Sequence, residues 1–478
     1  TQYHGKPQFG IHQTEVDGRT VAVTEEIVHR LTFGQLKHFK RDTARKDPKL
    51  LIVAPMSGHF ATLLRGTVET MIQNHDVYIT DWRDASNVPL IEGRFDLDDY
   101  IDYIREFLTV LGPDTHVMAV CQPGIPVTAA IALMSEDEDP NVPLSMTLLG
   151  SPMDSRRNPT APCKLAMEHS LEWFEQTVIQ YVPVLYPGAF RRVYPGFLQL
   201  SGFMSMNLDR HVEAHVNQFD HLVQGDGDSA DKHRAFYAEY NAVMDLTAEY
   251  YLQTIETVFQ KQALAKGEMM YRGDRLINTG AISKTGLMTV EGELDDISGI
   301  GQTVAAHDIC PQIPAFKKMH YEQKGVGHYG VFNGRRFNSE IAPRISDFIR
   351  ANEPNAKSRS SLMAPPSTKP AAAKKAAPIK LKKSKAANLT GNSSGASSLN
   401  IRDADKKPAA KQAKPAPKAT ISKTPAKPRG TPVAKKAAAN DAAPKKTVAA
   451  ASKPVTVKAE KRASKAKPAK KPQQKKKA

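Results

Sequence analysis

A chain of 478 residues with a formal net charge of +16 is long enough for a large core plus further segments, but the charge is not spread evenly. Beyond residue 354 there are 33 Lys and Arg against 4 Asp and Glu, which leaves 33 basic and 46 acidic residues before it. An acidic body is therefore joined to a basic tail. Three widely spaced cysteines without a C-x-x-C argue against a disulfide framework or a zinc site and point to a reducing compartment. No apolar run reaches the roughly 18 residues of a membrane span. The chain begins at Thr1 with no visible signal peptide, so an upstream start is expected.

In chain order, alternation over residues 16–28 predicts a hairpin turning at Asp17 and Gly18. Residues 49–55 (KLLIVAP) form a buried-strand pattern, 60–74 have helical spacing, and 75–82 (HDVYITDW) form a second strand. Residues 97–111 predict an amphipathic helix with Tyr100, Ile101, Ile104, Phe107, Leu108 and Leu111 on one face. A strand at 117–120, a buried helix at 127–134 and a strand at 144–149 follow. This alternation predicts a mostly parallel sheet with helices on both faces. It stops near Ser155. Residues 155–280 are mostly helical in pattern, with Pro-Gly breaks at 187–188 and 195–196. Strands resume at 286–291 and 318–323, and a helix at 341–349 closes the body. The expected domains are a core of 1–154 with 281–353, a helical insertion of 155–280 acting as a lid, and a tail of 354–478. That tail is Ala, Lys, Pro and Ser, and Phe348 is the last aromatic residue before it. With so little to bury it is expected to be disordered.

One corner of this pattern carries chemistry. In AVCQPG, residues 119–124, Cys121 sits between the strand and the helix. A side chain on such a turn is lifted off the sheet edge and faces the helix N-terminus, which favours thiolate over thiol. The residue after a nucleophile supplies an oxyanion donor, here the backbone N–H of Gln122. The usual pattern has Gly two residues either side of the nucleophile, whereas this chain has Ala119 and Pro123. A buried cysteine at a strand end is also a common packing element. Two later segments shift the balance. VEGELDDISG, 290–299, places Asp295 at a strand end, with Asp296 as the alternative, and KGVGHYGVF, 324–332, places His328 in a Gly-flanked loop. The order Cys121, Asp295, His328 is nucleophile, acid, base. A second oxyanion donor is expected from the loop PMSGHF, at the N–H of Met56 or Ser57. His59 in that loop reads as a surface histidine of the first helical turn. Cys163 and Cys310 read as structural, and no metal site is expected. Trp82, at a strand end, either lines the site or packs in the core.

With these segments in view, the chain resembles the intracellular polyhydroxyalkanoate (polyhydroxybutyrate) depolymerases over roughly residues 10–352. VDGRTVAV, PMSGHFATLLRGTVE, DVYITDWRDA, TAEYYLQTIETVFQK and KGEMMYRG carry the resemblance together with AVCQPG, GELDDISG and GVGHYG. It implies an α/β-hydrolase fold and a Cys121 nucleophile with Asp295 as acid and His328 as base. It also implies cleavage of polyester in cytoplasmic storage granules through an acyl thioester. No bound cofactor is required, though coenzyme A is an alternative acyl acceptor to water. The Tyr-, Phe- and Leu-rich stretch 181–206 either packs the insertion or docks the polymer, and Tyr186, Phe190, Phe197 and Phe203 are its expected substrate contacts. The basic tail, 354–478, is expected to bind DNA or another polyanion without sequence readout. A polymer synthase, or a tether between granule and nucleoid, are the rival functions.

Overall fold

In the computed structural model the described residues are 5–206 and 239–354, with 203–206 described by backbone alone. Of two compact units, Thr1–Lys374 contains all of them. The second unit, Lys375–Ala478, lies outside the described residues, as does the expectation made for the tail.

Asp17 and Gly18 take φ of 51° and 72°, the two positive values that a tight two-residue hairpin loop requires. They join β1 (Gln13–Val16) to β2 (Arg19–Arg30). A third antiparallel strand, β3 (Gly34–Arg41), was not expected from patterning. Its Lys and His side chains mask an apolar set of which Leu36 and Phe39 are fully buried.

The strands that follow are parallel, and all six were expected. They are β4 (Lys49–Val53), β5 (Asp76–Trp82), β6 (Thr115–Val120), β7 (Ser145–Leu149), β8 (Gly286–Gly292) and β9 (Lys318–Gln323). The sheet has nine strands in the order β1-β2-β3-β5-β4-β6-β7-β8-β9. In the central register Leu51 of β4 pairs with Tyr78 on one side and Val117 on the other.

From β4 the chain moves outward to β5 through α1 (Arg65–Met71). It returns past β4 to β6 through α2 (Leu97–Leu111), then continues to β7 through α3 (Gly124–Glu136). Parallel crossovers are right-handed, so a reversal of direction puts α1 on one face and α2 with α3 on the other. The contacts agree: α2 packs with α3, and α1 with α8, the closing helix Ala342–Ala351 numbered after those of the insertion. The loops leaving adjacent strands β4 and β6 thus diverge to opposite faces. The crevice between them, at the C-terminal strand ends, is where open α/β sheets bind ligands.

Helix α2 shows why the prediction there was sharp. Asp96 and Asp99 form a reciprocal capping box at its start, and Gly112 ends it at φ 75°. Tyr100, Ile101, Ile104, Phe107 and Leu108 are fully buried as one stripe.

Between β7 and β8 the chain makes α4 (Ala161–Glu168), α5 (Leu171–Val178), α6 (Gly196–Met206) and α7 (Ala248–Thr254), the last continuing as a π-helical turn, Ile255–Gln260. The insertion is less purely helical than its pattern. Short segments Gln180–Tyr181, Arg192–Tyr194 and Leu246–Thr247 form a small antiparallel sheet, and Met270–Tyr271 pairs with Arg275–Leu276. Strands of two or three residues are too short to leave a period-2 signal.

Candidate active site

Cys121 follows directly on β6, with φ of +69°. That left-handed backbone costs a non-glycine residue about 1–2 kcal/mol, so the surroundings must enforce it. The Cys121 N–H donates to the Leu149 carbonyl at 2.7 Å, extending the β6–β7 ladder by one residue, and Gly124 N–H returns to the Cys121 carbonyl at 3.3 Å. The close approach that motif Gly residues usually permit falls here at Gly124. A Cβ there would stand 2.5 Å from Ser151 Cβ. The glycine has moved one position along the chain, and the turn keeps its shape.

Asp295 and His328 meet above the end of β7. His328 Nδ1 lies 2.8 Å from Asp295 Oδ2. The other carboxylate oxygen accepts the N–H groups of Ile297 at 2.9 Å and Ser298 at 2.8 Å, which fixes the plane of the carboxylate. Both residues are buried, whereas Asp296 is exposed. Asp295 is therefore the partner, and Asp296 is not. Gly150, which sequence reasoning passed over, makes room for the pair. A Cβ on it would lie 3.1 Å from His328 Cε1 and 3.3 Å from Asp295 Oδ2.

Burial of the His328 ring opposes its protonation, but Asp295 and Cys121 more than offset that and hold its pKa well above the ordinary value. The ring hydrogen-bonds Asp295, and Cys121 stands close enough to act on its charge. All three predicted residues are thus in one connected set, with Cys121 half-buried and open to a cavity.

The cavity encloses about 450 Å³. Its core wall comes from Pro55, Met56, Ser57, Cys121, Gln122 and His328. Among the described residues, the backbone N–H groups of Met56, Ser57 and Gln122 make no hydrogen bond. All three residues line the same cavity as Cys121, and N–H donors beside a nucleophile are what an oxyanion needs. The opposite wall belongs to the insertion: Leu165 of α4, Phe174 of α5, Tyr194, and Tyr251, Ile255 and Phe259 from α7 and its π-helical turn. This wall is almost wholly apolar, and sequence reasoning did not find it. Its residues are scattered over nearly a hundred positions, and nothing local distinguishes them from core.

The predicted substrate contacts fall elsewhere. Trp82 is fully buried, and its Nε1–H donates to the Ala54 carbonyl at 2.8 Å, which also accepts the Tyr100 hydroxyl at 3.0 Å. It braces the strand end beneath the 55–57 loop and does not line the cavity, because Tyr100 and Tyr103 of α2 pack against its ring. Tyr186, Phe190 and Phe197 do not line the cavity either; they face outward, and Phe190 is 63% exposed. The Phe203 side chain lies outside the described residues. His59, read as a surface residue, is only 3% exposed and lines the cavity, because the insertion covers the loop that carries it. Burial drives its pKa down to about 4. Cys163 and Cys310 are buried free thiols, and burial pushes the Cys310 pKa up to about 12. Among the described residues, no cluster of His, Cys, Asp or Glu could hold a metal, and no helix is long and apolar enough to cross a membrane.

The strand order, the reversal at β4 and β6, and a sharp strand-to-helix turn at the central strand define an α/β-hydrolase fold. Residues 150–353 match the family described as PHB de-polymerase C-terminus. One curated protein is similar to a longer stretch of the chain. That relative is the poly(3-hydroxyalkanoate) polymerase subunit PhaC of Haloferax mediterranei. It is 22% identical over 344 residues, an alignment covering 68% of this chain and 63% of the relative's own length. Similar solved structures include the alpha/beta hydrolase GrgF from Penicillium sp. sh18, with TM-score 0.38, 16% identity, and coverage of 70% of this chain and 99% of that one. A thermophilic esterase from Thermogutta terrifontis has TM-score 0.39, 12% identity, and coverage of 69% and 99%.

Proposed function

We propose that this protein is an intracellular depolymerase that cleaves ester bonds of poly(3-hydroxyalkanoate) storage granules in the cytoplasm. The observation that carries this is Cys121, held at positive φ at the foot of an apolar cavity that it lines together with a His328 hydrogen-bonded to Asp295. The Cys121 thiolate attacks the ester carbonyl, forming an S–C bond. The oxyanion is held by the N–H groups of Gln122 and of Met56 or Ser57. The C–O bond then breaks, and the His328 imidazolium gives its proton to the departing hydroxyalkanoate oxygen, leaving a thioester on Cys121. Water deprotonated by His328 attacks the thioester, and the thiolate leaves. A second thiol such as coenzyme A is an alternative acceptor in that last step.

The family matched by residues 150–353 supports the depolymerase direction. An exposed apolar edge supports a polyester surface as substrate: Val184 and Leu185 are 67% and 90% exposed, and Ile91 on the neighbouring loop is 95% exposed. The second reading is a polymer synthase, which the curated relative's name favours. The Lys-rich segment after residue 354 serves in this proposal as a non-specific contact to DNA or another polyanion.

Acid release from amorphous polyhydroxybutyrate granules tests the proposal. The full chain is expected to release acid, and Cys121→Ala to be at least about a thousandfold slower. A chain ending near Pro354 is expected to keep acid release and lose DNA binding. Activity retained by Cys121→Ala sinks the mechanism. Polymer growth from a 3-hydroxybutyryl thioester, with no acid released from granules, selects the synthase.

A further inference from the structure

Between residues 239 and 247 the insertion returns to the core as a strap across the C-terminal edge of the sheet. Its contacts are with the loops that build the site. Glu239 pairs with Arg65 at 2.5 Å. The Met244 N–H donates to the Gly58 carbonyl at 2.7 Å, and His59 and Val243 form an antiparallel bridge. His59 Nε2 lies 3.1 Å from the Tyr240 carbonyl, with the two rings 5.1 Å apart. The Tyr240 ring in turn stands 6.0 Å from that of Tyr329, the residue after His328. Further along, Ala85 N–H donates to the Asp245 carbonyl at 3.1 Å.

The loop carrying Met56 and Ser57 therefore leaves β4 on the core side and is tied to the insertion at its far end. Gly58, at φ +100°, has the Gln199 amide of α6 at 2.7 Å from where a Cβ would stand. The loop is enclosed on that side as well. Oxyanion donors work only when their geometry is held in advance, to within about half an ångström.

Resting on the proposed ester-cleaving reaction, we infer that His59 is a positioning residue. By donating Nε2–H to the Tyr240 carbonyl it locks the 56–59 loop to the strap, so that the Met56 and Ser57 N–H groups face the reacting carbonyl only while the strap is seated. The ring does not touch the substrate carbonyl or take its proton. Burial keeps it uncharged, with a pKa of about 4, and a neutral ring donating from Nε2 suits this contact. The insertion thus does more than roof the cavity, because it completes the oxyanion site.

The test uses the full chain, hydrolysis of p-nitrophenyl butyrate, and alkylation of Cys121 by iodoacetamide. Alkylation needs the Cys–His pair and forms no oxyanion, and the other two cysteines are buried. His59→Ala is expected to lower kcat about tenfold or more with KM within about twofold and the alkylation rate unchanged. His59→Gln, which keeps an N–H donor, is expected to recover most of the loss. Glu239→Gln loosens the strap without touching the loop and should lower kcat in the same direction; it carries the test if His59→Ala does not fold. An unchanged kcat, alkylation that falls in step with kcat, or no recovery in His59→Gln overturns the inference. A wild-type chain that is alkylated yet cleaves no ester removes the proposed function, and this inference with it.

Discussion

The two walls of the cavity are built by different rules. On the core wall, each candidate group hangs from the end of a parallel strand: Met56 after β4, Cys121 after β6 and His328 after β9, with Asp295 after β8 hydrogen-bonded behind His328. The ladder holds these ends at fixed spacing, so the groups are placed by the sheet whatever lies above. On the insertion wall, Leu165, Phe174, Tyr251 and Phe259 come from helices outside the sheet, of which α7 packs on α2. One wall thus supplies reactive geometry and the other supplies apolar surface. Substitutions on the core wall should act on rate, and those on the insertion wall on which acyl group is accepted.

The sharpest way to break that division is Asp295→Asn. The amide keeps the shape but cannot orient and charge-stabilise the His328 imidazolium. Its kcat should fall about a thousandfold or more, with thermal stability within about 1 kcal/mol. Ester hydrolysis and thermal unfolding of one preparation decide it; a loss below tenfold would separate Asp295 from the chemistry.

The seam between the walls should answer to pH. Asp245 of the strap accepts the Gly196 N–H at 2.9 Å, yet burial and the neighbouring Asp84 raise its pKa to about 6. A carboxyl that holds its proton more tightly folded than unfolded opposes folding once ionised. That cost is absent below the unfolded value near 4 and is fully felt above pH 6. Asp245→Asn should therefore stabilise the chain by about 2 kcal/mol at pH 8 and by nothing at pH 4. Equal stability of variant and wild type across that range, by denaturant titration, would refute the assignment. His75, beneath the core strands, carries the opposite sign. Burial lowers its pKa to about 4, so the stability it contributes is present above pH 6.5 and is lost as the pH falls toward 4.

The smallest effect is expected on the insertion wall. Phe259→Ala opens the far end of the cavity and should lower KM a few-fold for p-nitrophenyl esters of longer acyl chains, leaving kcat for the butyrate within about twofold. A large fall in kcat for every chain length would show that this wall also sets reactive geometry.

The contrast extends to what could be read from the chain. Cys121, Asp295 and His328 were legible because each lies next to a strand with a strong local pattern, and their chain order matches the order of strands that a parallel sheet imposes. The choice between Asp295 and Asp296 was harder. Adjacent residues share one sequence context, and it took the turn to bury the first and leave the second in solvent. Trp82 was placed on the right strand with site and core both open, and the packing of Tyr100 and Tyr103 of α2 on its ring decides for the core.

By itself the sequence determined the alternation of strands and helices, the turn at Asp17 and Gly18, the capped helix α2, the three residues at the site and the split between acidic body and basic tail. All of these rest on interactions within a few residues or on composition, and such terms are written locally. Only the tertiary structure decided that Gly124 and Gly150 make the close approaches, that His59 is buried against the strap, and that Phe174 and Phe259 face the cavity while Phe190 faces water. Those outcomes depend on which distant segment covers a surface, and burial of apolar area is non-directional, so one apolar side chain is as ready for core, cavity wall or surface as the next.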